Sequence, residues 1–199
     1  MESLNGTPIL AFPSAAAWEK WLRTNHKKSA GLWVRIGKKA SGIPTVTYAE
    51  AVEIALCYGW IDAQLKSQDT SYFLQRFLPR RPKSVWSKRN IEKVAKLIAQ
   101  GRMQPAGLAE VEAAKKDGRW GRAYDSPATS MVPPDFQKAL DAAPKAKAFF
   151  ETLNKSNRYA MLYRLQNVKR AETRQAKIQT YITMLKAGKT LHLFKPKSA

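Results

Sequence analysis

The sequence is short of acid, of cysteine and of histidine. Only 15 of its 199 residues are Asp or Glu, against 35 Lys and Arg, a formal net charge of +20. Such a surface attracts phosphate, anionic lipid or acidic protein and repels cations. A single cysteine, Cys57, excludes an intramolecular disulfide. One Cys with two widely spaced histidines, His26 and His192, excludes a Cys/His metal cluster or a haem motif. No run approaches the roughly 20 apolar residues that span a bilayer, so a transmembrane protein is not expected. The first residues, MESLNGTPILAFPSAAAW, lack a positive n-region and are interrupted by proline, unlike a secretory signal. The missing signal and the single cysteine both point to the cytoplasm. No G-x-S-x-G, H-E-x-x-H or P-loop string occurs. The balance leans towards a non-enzymatic protein without deciding it; no catalytic residue, metal or cofactor is singled out, and a carboxylate-based metal site stays open on this count.

What remains is an ordinary globular composition. Hydrophobic residues make up 44% and charged residues 25%, so the charge excess reflects bases replacing acids within a folding sequence. Ser14 caps a predicted helix whose Trp18, Trp21 and Leu22 share one face. Gly31–Gly37 reads as a strand. Thr47 and Glu50 form a capping box ahead of a second helix ending near Gly59. Trp60–Leu65 and Tyr72–Phe77 flank a polar segment and read as an antiparallel hairpin. Beyond Pro79-Arg-Arg-Pro82 the pattern is helical: Ser87 caps one helix and Pro105 opens another.

The expected fold class is α+β, a small antiparallel sheet with packed helices followed by an all-helical C-terminal region. The expected organisation is a domain over 1–125, a linker at 126–134, helices over 135–188 and a frayed basic tail at 189–199. In the helical region Phe136, Phe150, Tyr159, Tyr163, Ile178 and Tyr181 fall on apolar stripes and are assigned to the core. Residues 133–199 hold 14 of the basic and 4 of the acidic residues, half the net charge in a third of the length.

Candidate binding residues cluster after the hairpin. Arg80, Arg81, Lys83, Lys88 and Arg89 crowd the predicted start of a helix, where free backbone N–H groups and the helix dipole favour an anion. Trp86, Ser87 and Asn90 stand in the same segment. The plain alternative is that Ser87 caps the helix and Trp86 packs in the core. Asp62 is placed to meet an arginine of the Arg76–Arg81 group across the hairpin, as a structural ion pair. A second arrangement makes Asp62, Arg80, Arg81, Trp86 and Asn90 a small anionic-ligand pocket or the active site of an enzyme, with Tyr48 or Trp86 as a stacking wall. A third reading is non-specific nucleic-acid binding through the polybasic surface. Peripheral contact with anionic lipid is a further expectation.

Three strings carry a resemblance: Thr47-Tyr-Ala-Glu-Ala-Val-Glu-Ile-Ala-Leu-Cys-Tyr-Gly-Trp-Ile-Asp62, Pro79-Arg-Arg-Pro-Lys-Ser-Val-Trp-Ser-Lys-Arg-Asn90 and Asp117-Gly-Arg-Trp-Gly-Arg-Ala-Tyr124. With Val132-Pro-Pro-Asp135 and Ala171-Glu-Thr-Arg174, they make the chain resemble the YdeI/OmpD-associated protein family. The resemblance implies a YjbR/CyaY-like first part and a role in tolerance of bacteriocins or cationic antimicrobial peptides. It implies no catalytic residues. Charge sharpens it: a +20 protein does not capture a cationic peptide directly, so protection would run through an anionic partner, whether a phosphate-bearing ligand, nucleic acid or acidic protein. The shortage of acids also argues against frataxin-like iron binding, because hard cations need oxygen ligands.

Overall fold

Asn5-Gly6 turns the chain back on itself, both residues at positive φ (52° and 71°). This Asn-Gly turn is the one favoured between two twisted strands, and it joins strands β1 (Ser3–Leu4) and β2 (Thr7–Ala11). The computed structural model describes residues 2–192. Helix α1 (Ala15–Asn25) follows, and the Ser14 hydroxyl accepts from the Ala17 N–H at its start. Then come β3 (Leu32–Gly37), α2 (Tyr48–Cys57), β4 (Trp60–Ser67), β5 (Tyr72–Pro79), α3 (Lys88–Ala99) and α4 (Pro105–Lys116). The Thr47/Glu50 capping box forms as the spacing predicts.

The fold is α+β, with strand order β1-β2-β3-β5-β4. The sheet is mixed, not purely antiparallel, because β2 pairs parallel to β3 across the α1 crossover. The chain divides into two compact units, Met1–Ala123 and Tyr124–Ala199.

The core of the first unit lies between one sheet face and its helices. Leu32, Val34, Ile36, Trp60 and Phe77 come from the sheet; Trp18, Leu22, Val52 and Leu56 come from α1 and α2. Trp18 is fully buried, its ring 5.5 Å from both Trp21 and Phe77 and its indole N–H bonded to the Ala51 carbonyl. Cys57 is buried there too, and burial pushes its thiol up to about 11, leaving it protonated and inert.

The second unit is helical: α5 (Pro134–Asp141), α6 (Pro144–Thr152), α7 (Lys155–Gln166) and α8 (Ala171–Lys186). Its own core gathers Phe136, Leu140, Phe150, Met161, Leu165, Ile178, Tyr181 and Leu185. The two C-terminal strings that carried the resemblance meet here. Arg174 grips Asp135 with two charge-assisted bonds of 2.6 and 3.0 Å, and also donates to the Leu165 carbonyl at 2.5 Å. The guanidinium beside it holds the Asp135 carboxyl below the usual carboxylate range. One arginine thus ties the start of α5, the end of α7 and the start of α8. Residues 193–199 of the expected basic tail lie outside the described residues.

Candidate functional site

Strand alternation assigns each hairpin residue to one face of the sheet. Asp62 stands opposite Phe77, and Trp60 opposite Pro79, on the face covered by helices. Ile61 pairs with Leu78, and Arg76 lies two residues further back on that strand, so these side chains point to the opposite face. The register is irregular between Asp62 and Leu65, so Ala63 and Gln64 both reach the same side.

Beyond Pro79 the chain leaves the sheet, and Arg80 turns inward. Its guanidinium carbon lies 3.4 Å from the centroid of the Trp86 ring, and one terminal N–H reaches the Val85 carbonyl at 3.4 Å. Trp86 is buried against this cation on one side and Trp120 on another, 5.0 Å away. Stacking of this kind is worth more when desolvated, as here. The Arg80–Trp86 pair therefore belongs to the core and pins the base of the loop between β5 and α3.

The loop itself is a turn. The Ser84 N–H donates to the Arg81 carbonyl, and the Ser84 carbonyl accepts from Arg119 at 2.7 Å. Arg119 is in turn fixed by Asp117 at 2.6 Å. Lys83 sits in this turn with φ 72°, a left-handed conformation that costs a side-chain-bearing residue on the order of 1 kcal/mol. Held this way, the turn closes one side of a cleft of about 490 Å³. Ile61, Ala63 and Gln64 line it from β4, Arg76 and Leu78 from β5, and Arg81, Pro82, Lys83 and Ser84 from the turn. Three cationic side chains thus border an apolar floor, and no carboxylate lines the cleft. Arg76 reaches Thr7 through one terminal nitrogen at 3.4 Å, while its Nε is buried without a hydrogen-bond partner among the described residues.

The other residues singled out from the sequence lie elsewhere. Asp62 accepts from the Tyr48 hydroxyl at 2.7 Å, and among the described ion pairs none joins it to Arg76 or Arg81. The register is the reason, since it places Asp62 across from Phe77 with Arg76 on the far face. Tyr48 is therefore a partner of Asp62 in the first turn of α2, away from the cleft lining. Ser87 caps α3, its hydroxyl accepting from the Asn90 N–H at 3.1 Å. That bond occupies one of the free N–H groups an anion would need at this helix start. Lys88 and Arg89 follow on the exposed first turn. Of the set Asp62, Arg80, Arg81, Trp86 and Asn90, the structure brings Arg80 to Trp86, Asp62 to Tyr48 and Arg81 to the cleft. Arg76, which the sequence offered only as an ion-pair partner for Asp62, is instead a residue of the cleft. A charged side chain two residues from both Leu74 and Leu78, on one face of a strand, was the available signal.

No helix of the described residues is long and apolar enough to cross a membrane. Among those residues no group of His, Cys, Asp and Glu is placed to hold a metal ion. No curated protein and no solved structure matches the chain. Family models match both parts: a domain of unknown function, DUF8412, over residues 10–110, and the model described as bacteriocin-protection, YdeI or OmpD-associated, over residues 129–188. In place of the YjbR/CyaY likeness expected for the first part, the match there is to DUF8412. With just over half of its residues matched by that model, the chain belongs to the DUF8412 family, and it carries a YdeI/OmpD-associated domain in its second unit.

Proposed function

We propose that the protein is a cytoplasmic, non-enzymatic binding protein of the YdeI/OmpD-associated type, acting in bacteriocin or cationic-peptide tolerance by holding an anionic partner. The observation that carries this reading is the cleft bordered by Arg76, Arg81 and Lys83 with no carboxylate in its lining. Three like charges around one concavity repel each other, and an anion relieves that repulsion. The apolar floor of Ile61, Ala63 and Leu78 lowers the local dielectric and strengthens each charge interaction. Protection against a cationic peptide then runs through the bound anion, consistent with a +20 chain that repels the peptide itself.

The strained Lys83 gives a test. Backbone strain held at a charged, exposed residue points to a role for its side chain. Lys83→Gly removes both strain and charge. It is expected to raise stability by about 1 kcal/mol while weakening binding of inorganic pyrophosphate about fivefold or more. Chemical denaturation and calorimetric titration check the two halves. Unchanged pyrophosphate affinity in this variant would overturn the cleft as the site.

A further inference from the structure

The second unit has a groove of its own, of about 370 Å³, along one side of α7. Helical spacing builds it from two adjacent rows. Lys155, Tyr159 and Tyr163 recur every fourth residue along one; Ser156, Ala160 and Arg164 recur along the other. The first row is an aromatic wall, and the second a floor of small side chains. Lys155 and Arg164 mark the two ends, about 13 Å apart along the helix axis.

Pro127 and His192 complete the lining, and the Pro127 side is held in place. The Tyr159 hydroxyl donates to the Asp125 carbonyl at 2.9 Å. Gln166 brackets Asp125 from both sides, accepting from its N–H and donating to its carboxylate. Burial raises the Tyr159 phenol to about 12, so it remains a neutral donor across the working pH range. The two tyrosine rings steady each other, with centroids 5.8 Å apart. The groove is therefore preorganised, which reduces the ordering cost of binding.

From this geometry we propose that the groove along α7 binds a small planar aromatic anion, its ring against Tyr159 and Tyr163 over Ala160 and its phosphate or carboxylate toward Lys155 or Arg164. Charge complementarity selects the anion, since the lining holds two permanent cations and no acid. The aromatic wall selects a flat ring, for which offset or edge contacts with tyrosine are favourable. Nothing in this proposal depends on the cleft of the first unit.

The test uses the full chain and three probes in calorimetric titration: phenyl phosphate, inorganic phosphate and phenol. Benzoate then separates a preference for phosphate from one for carboxylate. Phenyl phosphate or benzoate is expected to bind about tenfold or more tightly than either inorganic phosphate or phenol. Ser156 is exposed, so Ser156→Trp fills the groove without disturbing the core, and it is expected to weaken that binding about tenfold or more. Lys155→Glu, a second exposed change, weakens it as well. The titrations are repeated in Arg81→Glu, which takes the cleft of the first unit out of the measurement, and the preference for the aromatic anion persists there. Aromatic anions binding no better than inorganic phosphate would overturn the proposal. Ser156→Trp and Lys155→Glu both binding as the unaltered chain does would overturn it too.

Discussion

Gly107→Val is expected to lower the melting temperature of the first unit by about 10 °C or more. Gly107 lies in the first turn of α4, where that helix crosses the end of α2. A Cβ added there would sit 2.3 Å from the Cys57 carbonyl oxygen and 2.7 Å from that of Leu56. Both are backbone atoms and cannot rotate away, so the helices must separate. Overpacking in a closed core costs about 1–3 kcal/mol, and a backbone collision with a branched side chain belongs at or above the top of that range. The Gln104 N–H also bonds the Cys57 carbonyl at 3.1 Å, so separating the helices breaks a cap as well. The consequence reaches the site. The turn after α4 supplies Arg119, which holds Ser84, and Trp120, which packs on Trp86. Circular dichroism melts decide the matter; a variant melting within about 2 °C of the unaltered chain would mean that the crossing is not as tight as described.

Trp86→Ala is expected to cost about 3–5 kcal/mol, the range for deleting a buried aromatic side chain. The indole is 1% exposed and carries the Arg80 guanidinium on its face. Its removal leaves both a cavity and a cation without its stacking surface. Trp86→Phe keeps a ring under Arg80 and is expected to lose markedly less stability and to keep most of the affinity for pyrophosphate. That pattern separates a residue that positions the cleft from one that contacts the ligand. The account fails if Trp86→Ala melts like the unaltered chain yet no longer binds, since that combination describes a stacking wall for the ligand.

Much of the fold was legible in the sequence because local chemistry and tertiary packing agree in it. Ser14, Thr47 and Ser87 are caps in the structure as their spacing predicts. The hairpin of β4 and β5 follows from two apolar runs around a polar loop. The strands at the N-terminus were missed although Asn5-Gly6 marked the turn. Thr7–Ala11 contains a proline, and its partner β3 lies across a whole helix, a pairing no local pattern reveals. The same limit applied at the site. Arg80 and Arg81 are neighbours of the same type, yet one stacks in the core and the other faces the cleft. Which of two adjacent arginines turns inward depends on Trp86 and Trp120, brought together from different segments. Tyr159 and Tyr163 also fit an apolar stripe, but the core takes Met161 and Leu165 from that helix and leaves the tyrosines to line the groove.

The central claim is that an anion is held at the cleft of Arg76, Arg81 and Lys83. The direct measurement is calorimetric titration of inorganic pyrophosphate into the unaltered chain and into Arg81→Glu, each at low and at physiological salt. Arg81 is exposed, so its reversal leaves the fold intact. The account predicts binding to the unaltered chain that weakens as salt rises, and a loss of about tenfold or more in Arg81→Glu at low salt with an unchanged melting temperature. Equal affinity in the two proteins at low salt would contradict it.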